Sequence, residues 1–144
     1  MNAFLAKVRE EDSALTGLQG YFTVECAFMH TIIYTPEIAR LYSQVINVPS
    51  LRNRYCHAHY ELFKSFVSDI ATDSAEWTAT VAMSGLEYEL ADEGILTESF
   101  ETALEGIFKA RMVFAGKNAE DYSEDICTGI SEGISLALRL SDLF

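Results

Sequence analysis

The chain is poor in proline, in cysteine and in positive charge. Only two prolines occur in 144 residues, Pro36 and Pro49, and both stand at helix boundaries, so no helix interior is broken by one. The three cysteines, Cys26, Cys56 and Cys127, are odd in number, far apart and free of any CxxC spacing. That excludes a disulfide framework and points to buried thiols in a reducing compartment. Polar or charged residues interrupt every apolar stretch well short of the ~20 residues that span a bilayer. Met1 to Glu10 carries one Lys and one Arg around a short apolar cluster and lacks the core and cleavage site of a secretory leader. The expectation is a cytoplasmic protein with no membrane partner.

Lys and Arg number 10 against 22 Asp and Glu, a net charge of −12. The imbalance is local. Residues 1–72 hold six basic and seven acidic residues, whereas residues 73–144 hold four and fifteen. Phosphate neutralisation needs a basic surface. No basic cluster exists here, so nucleic acid is excluded as a direct partner of this polypeptide alone.

Catalytic signatures are missing as well. There is no Ser/His/Asp order, phosphate-cradling glycine loop, HExxH or zinc-finger spacing. Gly17 and Gly20 do not follow a strand. The Glu-x-x-His repeats of a carboxylate-bridged di-metal bundle do not occur. Glu87/Glu89 and Asp92/Glu93 read as a solvated helix face. The expectation is a non-enzyme with no cofactor and no catalytic residues.

What is present is helical periodicity. The pattern predicts helices over 2–12, 13–34, 36–46, 50–71, 74–92, 98–115 and 119–142. Asp12 or Ser13 would cap the second, and Leu15, Leu18, Phe22, Cys26, Met29 and Ile33 follow its helical spacing. Thr35-Pro36-Glu37 combines a cap, a proline at the first helical position and an acid at the positive helix start. Asp73-x-x-Glu76 has capping-box form, Gly94 and Gly116 would end helices, Thr97 would open one, and Asn118 would cap the last. Six or seven helices with short connections make a single all-α domain over 1–144, an antiparallel helical bundle.

Two helices carry small residues beside large ones. Gly129 and Gly133 lie one turn apart beside Ile126, Ile130, Ile134, Ala137 and Leu138, and another backbone must come close there. The helix at 74–92 sets Ala75, Ala79, Ala82, Ser84 and Gly85 against Trp77, Val81, Leu86, Tyr88 and Leu90. Close packing within one chain answers this pattern. So does a homodimer through Ala82, Gly85, Leu86, Gly129, Ile130, Gly133, Ile134 and Ala137, with two helices from each partner in a four-helix bundle. Cys26/His30 and Cys56/His59 are helical pairs that would form a Cys2His2 metal site if they faced each other; ordinary half-buried residues are the simpler reading, and no metal is assigned. The many aromatics suit either core packing or a small-molecule pocket between helices.

Three stretches carry a family resemblance. Thr35-Pro36-Glu37-Ile38-Ala39-Arg40-Leu41-Tyr42 is similar to the short helix after the first core helix of the tetracycline-repressor-like (TetR) regulatory domain. Ala82-Met83-Ser84-Gly85-Leu86-Glu87-Tyr88-Glu89-Leu90 resembles the segment of its dimer-forming helix, and the spacing through Gly94 and Thr97 leads to a further long helix. The likeness covers most of 13–144; the basic helix-turn-helix that opens such regulators has no counterpart here. The resemblance implies an effector-sensing and dimerisation domain that reaches DNA only through a helix-turn-helix absent from this chain. A small apolar effector would sit among Phe22, Cys26, His30, Tyr34, Tyr55, His59, Phe63, Trp77 and Tyr88. The rival reading is a stand-alone acidic adaptor that binds a basic protein through residues 73–144.

Overall fold

A computed structural model describes residues 2–11, 15–67, 74–93 and 99–141. Among them are seven α-helices and no strand: α1 (Asn2–Glu11), α2 (Gly17–Tyr34), α3 (Pro36–Ile46), α4 (Pro49–Phe66), α5 (Ser74–Glu93), α6 (Phe100–Phe114) and α7 (Ser123–Leu140). The all-α antiparallel bundle expected from periodicity is what the chain forms. Asp12, Ser13, Asp73, Gly94 and Thr97 lie outside the described residues. Thr16 occupies the N-cap position of α2, and Ser99 caps α6 by accepting from the Thr102 N–H at 3.2 Å. Gly116, at φ +78°, follows the end of α6 in the left-handed region that glycine alone enters freely. A 3₁₀ turn at Ala119–Tyr122, begun by Asn118, precedes α7. The pattern expected one continuous helix over that stretch.

Helix α2 is the axis of the molecule. Every residue from Gly20 to Ala27 is buried, which fits a helix that is apolar nearly all round. Its partners show the directions. Tyr21 meets Phe63 and Phe28 meets Tyr55, so α4 runs antiparallel to α2. Phe22 meets Phe108 and His30 meets Phe100, so α6 does the same. Gln19 bonds Asp125, and the Cys26 thiol donates to the Ile130 carbonyl at 3.3 Å, so α7 runs parallel to α2. Tyr21 meets Met83 and Glu25 lies beside Glu87, so α5 also runs parallel to α2, and α2, α4, α5, α6 and α7 alternate in direction along the chain.

The glycines of α7 belong to this packing. A Cβ on Gly129 would collide with Cβ of Phe22, and one on Gly133 with Cβ of Cys26 and the Thr23 carbonyl. The backbone that approaches them is α2 of the same chain. This corrects the expected dimer surface: Gly129, Ile130, Gly133 and Ala137 are buried inside the chain, and Ile134 is half-buried against its core. Leu138, expected inward, is exposed.

Candidate functional site

Helix α5 is amphipathic in the unexpected sense. Its inward face carries Glu76, Thr80, Ser84 and Glu87, all buried, while Val81, Gly85 and Leu86 face out. Thr80 and Ser84 satisfy their hydroxyls by donating to the Glu76 and Thr80 carbonyls one turn back, at 3.0 and 2.9 Å. The two glutamates need partners from elsewhere. Glu76 finds Arg111 of α6, whose Nη1 donates to Oε2 at 3.0 Å; Lys117 Nζ lies 3.5 Å from Oε1. Arg111 also donates through Nε to the Tyr21 hydroxyl at 3.3 Å and lies over the Phe63 ring, 3.9 Å from its centroid. The guanidinium is wholly buried, and its charge is met by one carboxylate and two aromatic neighbours.

Glu87 lies beside Glu25 of α2 and His59 of α4. One ligand atom from each of the three falls within 4.8 Å of the others, and all three residues are fully buried. His59 Nδ1 is 2.8 Å from Glu25 Oε1. That contact lacks hydrogen-bond alignment and neither ring nitrogen of His59 has an aligned partner, while the Glu25 and Glu87 carboxyls lie within hydrogen-bond reach of each other. Burial raises the Glu87 carboxyl well above the usual carboxylate range, and neighbouring Glu25 pushes the same way. Taking carboxylates out of water costs several kcal/mol for each ion unless a partner compensates. A pair of them facing an imidazole therefore calls for a proton or a cation.

The triad has aromatic walls. The Tyr55 ring centroid is 4.2 Å from that of His59, Phe28 is 5.6 Å away, and Tyr42 meets Tyr55 edge to face at 5.5 Å. The Tyr42 and Tyr55 hydroxyls are buried within hydrogen-bond reach of each other. Burial pushes both phenols upward, with Glu87 adding to the effect. Outside these rings lies an apolar cleft of about 450 Å³ between α1, α2, α3 and α4, walled by Phe4, Ile32, Ile38, Leu41 and Val45, with Lys7 also lining it. A second cleft of about 400 Å³ between α4 and α5 is lined by Cys56, Trp77, Ser84 and Tyr88, among others.

The residues expected to form one pocket are dispersed. Phe22, Cys26 and Phe63 are core. His30 and Tyr34 stack on each other and on Phe100 at the far end of α2, with Tyr34 exposed. Trp77 stacks on His57, and the Tyr88 hydroxyl donates to Asn47. Only Tyr55 and His59 meet at the polar centre. The four residues of the Cys2His2 alternative do not converge: Cys26 faces α7, His30 lies beside Phe100, and His59 faces Glu25. The reading of Glu87 as solvated is likewise overturned, although its neighbour Glu89 is exposed. A signal for the centre was available at Glu25, an isolated charge within the most apolar helix of the chain.

No family model, curated protein or solved structure matches the chain. Among the described residues no helix is long and apolar enough to cross a membrane.

Proposed function

We propose that this chain is a non-enzymatic effector-sensing and dimerisation domain of the tetracycline-repressor-like type, taking a small apolar molecule into the cleft between α1 and α4. The observation that carries this reading is the cleft itself. Its walls are aliphatic and aromatic, and its inner end presents the Tyr42 and Tyr55 rings that cover the polar centre. Such a site gains affinity from apolar burial and orientation from a few polar groups at one end. The axial position of α2 gives occupancy a route outward, because α2 packs against the cleft-forming helices and α7 and meets α6 through Phe22 and Phe108. In this reading, dimerisation uses the outward face of α5, where Val81, Gly85 and Leu86 are exposed, with half-buried Ala82 beside them. Any effect on DNA passes through a separate helix-turn-helix domain in a cytoplasmic regulator.

The test uses the anionic naphthalene dye 1-anilinonaphthalene-8-sulfonate, matched to apolar walls and Lys7. Wild-type protein binds about one dye per chain with enhanced fluorescence, and Ile38→Asp abolishes this while the circular dichroism spectrum is retained. Absence of saturable binding, or binding that Ile38→Asp leaves unchanged, removes the cleft as the ligand site. Light scattering tests the second half: a monomer at all concentrations overturns the dimer, whereas Leu86→Arg converts a true dimer to monomer.

A further inference from the structure

Among the described residues, three helices bring fully buried ligand-type atoms together at one point. Glu25 comes from the axis of the bundle, His59 from α4 and Glu87 from α5. In an ordinary buried polar cluster, each hydrogen aims at a neighbouring acceptor. Here Nδ1 of His59 approaches Glu25 Oε1 at 2.8 Å without hydrogen-bond alignment, and the Glu25 and Glu87 carboxyls face each other with no buried cationic side chain of the described residues between them and His59. Atoms that converge on a shared centre have this geometry. Ligands bound at about 2.0–2.1 Å are separated by roughly 2.9–3.4 Å, depending on octahedral or tetrahedral angles; the His59–Glu25 contact of 2.8 Å is close to that spacing, and all three atoms lie within 4.8 Å of one another. The charges agree. Two carboxylates and a neutral imidazole balance a dication, and the buried cation of α6, Arg111, is already bound to Glu76.

We infer that Glu25, His59 and Glu87 form a mononuclear binding site for a divalent first-row transition ion such as Zn²⁺. The donor set selects the class. Imidazole with carboxylate suits Zn²⁺, Mn²⁺ or Fe²⁺, whereas Mg²⁺ and Ca²⁺ favour all-oxygen shells. The site stands apart from the cleft ligand: a dye that fails to bind leaves it untouched, and a metal that fails to bind leaves the cleft reading intact.

The experiment takes the full chain, strips it with a chelator, and titrates it with Zn²⁺ by calorimetry. One Zn²⁺ binds per chain, excess Mg²⁺ does not compete, and the thermal midpoint rises on loading. X-ray absorption of the wild-type 1:1 complex shows a nitrogen and oxygen shell with one imidazole and no sulfur. Glu87→Gln and His59→Gln each weaken binding beyond the ~10–100-fold that loss of an outer-shell partner costs, while His57→Gln leaves it unchanged. Substoichiometric uptake, affinity that survives both ligand substitutions, or a sulfur shell overturns the assignment. If the ligand variants unfold, the wild-type stoichiometry and absorption spectrum decide alone.

Discussion

Single residues in this chain carry opposite meanings under the same name. Gly133 and Gly106 are both glycines inside helices, and each sacrifices about 1 kcal/mol of helix propensity relative to alanine. At Gly106 nothing lies within 4 Å of an added Cβ. Gly106→Ala therefore raises the unfolding free energy by about 0.5–1 kcal/mol. At Gly133 the added atom meets the Thr23 carbonyl and Cys26. Main chain cannot swing aside, so Gly133→Ala lowers stability by a net of about 1–3 kcal/mol, as overpacking does. Urea denaturation of the two variants checks the contrast, and equal shifts would contradict it. The sequence foretold that a backbone comes close to Gly129 and Gly133, but spacing alone is silent on which one. An intramolecular and an intermolecular neighbour impose the same demand for a missing side chain.

At the scale of elements, α5 shows where periodicity misleads. Polar residues at 76, 80, 84 and 87 make one stripe, and a stripe of that kind ordinarily faces water. It faces inward here, where Arg111 on α6 pairs with Glu76, and Glu87 lies beside Glu25 and His59, groups far away in sequence. Helix existence and direction were legible from local signals such as Thr35-Pro36-Glu37. The inverted face of α5 was not, since it is set by tertiary charge pairing. The same logic gives a stability prediction. Removing one partner of a buried ion pair strands the other, at about 3–5 kcal/mol. Arg111→Ala takes the buried guanidinium away from Glu76 and also strips packing from Phe63 and Tyr21. A loss in that range is expected by chemical denaturation. The double variant Glu76→Leu/Arg111→Met recovers much of it, because an apolar pair removes the stranded charge.

Across the whole molecule the buried phenols and thiol set an alkaline limit. Burial pushes the Cys26 thiol up from 9.0 to about 12, and it raises Tyr21, Tyr42 and Tyr55 above their ordinary value of 10.0. All four hold their protons in the folded state at pH values where the unfolded chain has begun to release them. Stability from this source is complete below pH 9 and falls as pH rises through the interval to about 12. A thermal midpoint that declines steadily from pH 9 upward, and less steeply in Tyr55→Phe, is the expected outcome. A flat profile over that interval would contradict the burial of these groups.

The close parallel contact of α2 with α7 has a consequence for how the chain reaches its fold. The Cys26 thiol and the Ile130 carbonyl that accepts its proton are 104 positions apart. Helix α2 therefore forms early in synthesis but cannot be covered until nearly the whole chain has emerged. Pairings over such separations delay folding, because the long loop must close before the contact repays it. In the interval α2 exposes apolar surface that other chains can capture. Nascent chains that stop before α7 should collect in aggregates, because the axis then has no last neighbour to cover it.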